Sequence, residues 1–165
     1  MIEDKYAYNS VIVARYIVAV ANDRKIGINM TKLQQLLYIA YGTYLAVKGV
    51  RLTNEHPQAW PYGPVFPTTR NKMIKVINWD DISVKDEEFK EIHSDRDIAS
   101  LMNLVFDYFG QYNAATLTEW SHKDGSPWER ATKQESFKWG NAIPDEFILD
   151  YFKSILVRTD ATNNR

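Results

Sequence analysis

The chain has 165 residues, enough for one domain that buries its own core without staples. It has no cysteine, which removes disulfides, thiolate zinc sites and cysteine nucleophiles together and suits a reducing cytoplasm. The formal net charge of -1 sets up no global field for phosphates, and no apolar run is long enough to span a bilayer.

Hydrophobic content of 45% and charged content of 25% are ordinary for a globular domain, whereas the aromatic content of 13%, with ten Tyr and five Trp, is high. The N-terminus Met1-Ile2-Glu3-Asp4-Lys5 is charged and lacks the apolar centre of a signal peptide, so a cytoplasmic location is expected. The expected organisation is a single domain over 1–165, with a core from about 8 to 157 and a polar tail over 158–165.

In chain order, Asn9 or Ser10 caps a first helix whose Ile12, Tyr16, Ala19 and Val20 share one face. Asn29 or Thr31 opens a stronger second helix, with Leu33, Leu36, Leu37, Ala40, Tyr41 and Tyr44 in a continuous apolar stripe. Gly49 stands where a left-handed terminator is expected.

Then comes Ala59-Trp60-Pro61-Tyr62-Gly63-Pro64-Val65-Phe66-Pro67, with three prolines among its nine residues. Each proline fixes its own φ, removes a donor and pushes its predecessor out of the α region. The segment therefore cannot be helical and is a poor central strand. It reads as a stiff aromatic ribbon, serving either as a plug between helices or as a rigid recognition surface.

Thr68 or Thr69 can cap a short helical turn, and Ile74–Val84 alternates weakly around Asn78-Trp79-Asp80-Asp81, which predicts a small hairpin there. Residues 86–97 are strongly acidic and read as a solvated segment or a helix start. A third helix follows Asp95 or Asp97, a fourth is capped by Asn113, Pro127 takes the first position of a helical turn, and a last helix opens at Ile143-Pro144-Asp145. The fold class is mainly α: a single-domain bundle of about five helices, at most a small β-hairpin, and the Pro/aromatic ribbon.

Chemistry is sparse. Glu119 and His122 share a helix face, but a di-iron bundle needs a second Glu-x-x-His and further carboxylates, which the sequence lacks, so no metal is expected. No Gly-x-Ser-x-Gly elbow and no phosphate-cradling glycine loop is present, so neither catalytic residues nor cofactors are assigned. Lys32, Arg51, Arg70, Lys72 and Lys75 can form a local basic patch, but the acids from Asp80 onward interrupt it, and nucleic acid is an unfavoured partner.

Three blocks together resemble the Panacea domain, the family of GepA-like phage and plasmid proteins and SocA-type antitoxins. They are Met30–Tyr41, containing Leu33, Leu36, Leu37 and Tyr38; Ala59–Pro67, containing Trp60, Tyr62, Gly63, Pro64 and Val65; and Leu117–Trp128, containing His122, Pro127 and Trp128. The resemblance runs from about residue 8 to about residue 157. It implies a mainly helical antitoxin, not an enzyme, that neutralises a cognate protein toxin by direct binding. The toxin is expected to come from an adjacent gene, and some members are thought to deliver it to a protease.

The second helix departs from the family pattern, with Gln34 and Gln35 together where a lysine usually follows the glutamine. The residue reading places Leu33, Leu36, Leu37, Tyr38, Trp60 and Val65 in the core, while Tyr62, His122 and Trp128 each carry a polar group that needs a partner. If the signature is scaffold, the toxin surface is expected on 75–97 or on the outer face of the first helix. A DNA-binding regulator and an enzyme with a dispersed site are the alternatives.

Overall fold

The computed structural model describes the backbone of residues 5–163 and the side chains of residues 5–156. At its centre is one helix, α2 (Met30–Lys48), in which every residue from 32 to 43 is buried. The predicted stripe is thus only part of the story: a helix buried on all sides carries apolar residues around its whole circumference. The Asn29 side chain caps α2 by accepting from Lys32 N at 2.8 Å, and Gly49 ends it with a φ of 69°.

α1 (Ser10–Asp23) is capped by Asn9 and packs beside α2. Short strands flank the pair: β1 (Tyr6–Tyr8) and β2 (Arg51–Thr53) run parallel, with Tyr6 opposite Arg51 and Tyr8 opposite Thr53. The two helices form the crossover that a parallel pair requires. On its other side α2 meets α8 (Asp145–Asn163) so closely that a β-carbon on Gly42 would lie 2.3 Å from the Phe152 ring. The expected tail over 158–165 lies outside the described side chains, although the α8 backbone continues to Asn163.

The remaining helices are α3 (Pro67–Ile74), α4 (Lys90–His93), α5 (Arg96–Phe109), α6 (Ala114–Ser121) and α7 (Pro127–Thr132). Eight helices among the described residues exceed the expected five or so, because the short α3, α4 and α7 stand as separate elements. The mainly α architecture is as expected.

The hairpin lies elsewhere than predicted. Residues 74–84 form no strand: the Asn78 side chain caps a 3-10 turn over Trp79–Asp81, and the Trp79 indole N–H donates to Met73 O at 3.1 Å. The ribbon itself is the hairpin, with β3 (Gln58–Trp60) antiparallel to β4 (Gly63–Val65). Pro64 is tolerated because it sits opposite Ala59, whose own N–H and C=O point away to Asn141 O and Gly140 N.

The acidic stretch is anchored as well. It buries Phe89 and Ile92 and crosses α1, where Phe89 meets Tyr16 at 5.3 Å and Glu88 pairs with Arg15. Asn22 also donates to Trp79 O and Ile82 O. The outer face of α1 is therefore largely covered.

Candidate functional site

The three signature blocks converge on the β3–β4 hairpin. α2 supplies Gln34, whose Oε1 accepts from Phe66 N at 2.7 Å just beyond β4. The next residue, Gln35, donates from Nε2 to Ser121 Oγ on α6 at 3.1 Å. From α7, the Trp128 indole N–H donates to Trp60 O at 2.8 Å. α2 and α7 thus each tie the ribbon by a hydrogen bond, while the Gln35–Ser121 bond between α2 and α6 backs it at Gly63, and both glutamines are residues that periodicity counts as interruptions of an apolar helix.

Gly63 sits at the middle of this clamp with a φ of 123°. A β-carbon there would meet Gln35 Nε2 at 2.8 Å, Ser121 Oγ at 3.1 Å and His122 Nε2 at 3.7 Å. His122 closes the C-terminal end of α6, and its ring stacks on Trp128 with centroids 4.0 Å apart. Its Nε2 is buried without a hydrogen-bond partner, and burial lowers the imidazole pKa, favouring the neutral ring. Gln35 Oε1 and Tyr38 Oη are likewise buried and unpartnered. Burial pushes the Tyr38 phenol well above its ordinary value, so it stays protonated.

The other expected site residues divide by burial. Leu33, Leu36, Leu37 and Tyr38 are fully buried, Val65 is buried at the edge, and Tyr38 packs edge-on against Trp120 and Phe152. Pro64 and Pro127 are buried, the latter at the first position of α7 behind the Ser126 cap. Trp60 and Trp128 are half-buried, whereas Tyr62, at the hairpin tip, is 77% exposed. Beside that tip lies a groove of about 350 Å³ between α2 and the hairpin, with Arg70 on its rim.

The expected basic patch is broken up. Lys32 is buried with its Nζ donating to Gly110 O at 2.6 Å, and desolvation lowers its pKa. Arg51 donates to Asp145 Oδ2 at 2.8 Å. Sequence reasoning missed the cluster this contact belongs to, in which the buried Asp145 carboxylate also accepts from Tyr41 Oη at 2.7 Å and meets His56 Nε2 at 3.1 Å. Burial raises the Asp145 pKa, but the hydrogen bonds from His56, Tyr41 and Arg51 outweigh it and hold the carboxyl below its usual value. Among the described residues no group of three or more His, Asp or Glu is placed to hold a metal ion. Nor is any described helix long and apolar enough to cross a membrane.

Residues 33–129 match the family described as "Antitoxin SocA-like, Panacea domain". The chain belongs to the Panacea-domain family. The matched span begins on α2 and ends on α7, so it brackets Gln34, Gln35, Ser121 and Trp128 around the hairpin. The chain is also 29% identical to a protein named "Antitoxin SocA" from Caulobacter vibrioides (strain NA1000 / CB15N), over 92% of this chain and 86% of that protein. No solved structure matches the chain. In Panacea terms, the signature of this member builds the clamp around Gly63, and the side chains that fix the hairpin leave Tyr62 and the groove outward.

Proposed function

We propose that this Panacea protein is the antitoxin of a toxin–antitoxin pair and neutralises a protein toxin by binding it directly. The observation that carries the reading is similarity to an antitoxin over 92% of the chain, within a family defined by SocA-like antitoxins. The geometry supports it: a clamped hairpin presents an exposed aromatic tip beside a groove, and a surface organised before binding loses less entropy on association. The toxin is expected from a neighbouring gene, and sequestration is the simplest mode of action. Delivery to a protease would use the same contact.

Co-expression tests this. The neighbouring reading frame should arrest growth alone, and this protein should restore growth and co-purify with the frame's product. A stable complex should bury on the order of 1,600 Å² in total. Failure of every flanking toxic frame to be rescued would remove the reading.

A further inference from the structure

We infer that the groove between α2 and the β3–β4 hairpin binds an acidic, partly apolar segment of a partner protein, with Arg70 as its anion anchor. Identifying that partner with the toxin rests on the antitoxin reading; the groove and its preference do not.

Charge complementarity points to the occupant. The groove wall includes Arg70 and no acidic residue, and the guanidinium has no ion pair among the described residues. By contrast Arg15, Arg24, Arg51 and Arg130 each face a carboxylate. The same wall takes Met30 and Thr31 from the first turn of α2, where the helix end carries partial positive charge. A carboxylate entering here meets an unpaired guanidinium able to grip it with two parallel hydrogen bonds.

Apart from Gln34 and Gln35, the rest of the wall is apolar or aromatic, with Tyr62 standing out at 77% exposure, so the carboxylate needs apolar neighbours in its own chain. Gln35 adds a second polar demand. It is 1% exposed, it contributes to the wall, and its Oε1 has no hydrogen-bond partner. One helical turn beyond Arg70, Ile74 is 55% exposed and extends the apolar surface. Lys72 on α3 and Lys75 just past its end, exposed and without ion pairs among the described residues, can steer an acidic partner without touching it. A nucleic acid would need several phosphate contacts, whereas Lys32 and Arg51 are turned inward and the groove holds one cation.

The test is selection of random displayed peptides on the immobilised full-length protein. Enriched peptides should combine Asp or Glu with aromatic or aliphatic neighbours, and their binding should weaken with salt. Arg70→Glu should weaken them by about tenfold or more, Arg70→Lys by less, and Lys72→Glu with Lys75→Glu by about two- to fivefold through slower association. Lys138→Glu, exposed in the segment that bonds to β3 and absent from the groove wall, should leave them unchanged. Among the described residues Arg70 has no ion pair to lose, so its variants should melt as the wild type does.

Selection without acidic residues, or unchanged binding by folded Arg70→Glu, overturns the proposal. So does duplex DNA or RNA that displaces the peptides and itself depends on Arg70. Growth rescue separates the two readings. If wild type rescues and Arg70→Glu does not, the toxin sits in this groove. If both rescue, the antitoxin reading stands and the toxin's place here falls. If neither rescues while acidic peptides still bind through Arg70, the groove stands and the antitoxin reading fails.

Discussion

Gly63 is under two separate constraints, a backbone angle that side chains avoid and a neighbour at 2.8 Å from where a β-carbon would be. Gly63→Val should therefore destabilise the protein by about 1–3 kcal/mol and lower its melting temperature by several degrees. An unchanged melting curve would mean that the hairpin and Gln35 both give way freely. His122 makes a prediction about pH. Its folded pKa lies below that of the unfolded chain, about 6.5, so below that pH the unfolded chain binds more protons. The stability this group contributes is whole above about pH 6.5 and declines as pH falls toward the folded value. Urea titrations at about pH 7.5 and 5.5 should show a larger loss for wild type than for His122→Gln. Equal losses would show that the ring is solvated when folded. At this scale the Asn caps were legible, because each acts on its own backbone. Gln34 and Gln35 were not, since their partners lie 32 and 86 residues away.

Among the elements, α3 shows how a helix can start without a cap of its own. Its N-cap is Phe66, which has no side-chain acceptor, and Thr69, a capping candidate in the sequence, is buried instead. The Glu55 carboxylate takes the role from outside the helix, accepting from Thr68 N at 2.6 Å and Thr69 N at 2.9 Å. Glu55→Ala should cost about 1–2 kcal/mol, the range for losing a strong cap, and should speed amide exchange first in α3. Uniform exchange across the protein would place the loss elsewhere. The long helices were legible from their 3.6-residue spacing. The hairpin was misplaced for a physical reason. Proline forbids a donor, but a two-stranded ladder has positions where none is needed, and spacing alone cannot say which positions those are.

Taken whole, the molecule is tied across its length by Asp145, at the start of α8, which holds Tyr41 on α2 and Arg51 on β2. Asp145→Ala would take the carboxylate from a buried phenol and a partly buried guanidinium, and should cost roughly 2–3 kcal/mol in denaturant titrations. A cost below about 0.5 kcal/mol would mean that water replaces the carboxylate. The mainly α class was legible in composition and pattern, and the family in three short blocks. The convergence of those blocks on one clamp was not, because it depends on which faces of α2 meet which neighbours. The all-round burial of α2 has a further consequence, in the order of synthesis. α2 leaves the ribosome roughly a hundred residues before α8, which at about 5–20 residues per second is about 5–20 s. Through that interval a helix whose residues 32–43 are all buried in the fold has no cover on its α8 side, so it is during translation, rather than after folding, that the protein most invites chaperones and aggregation.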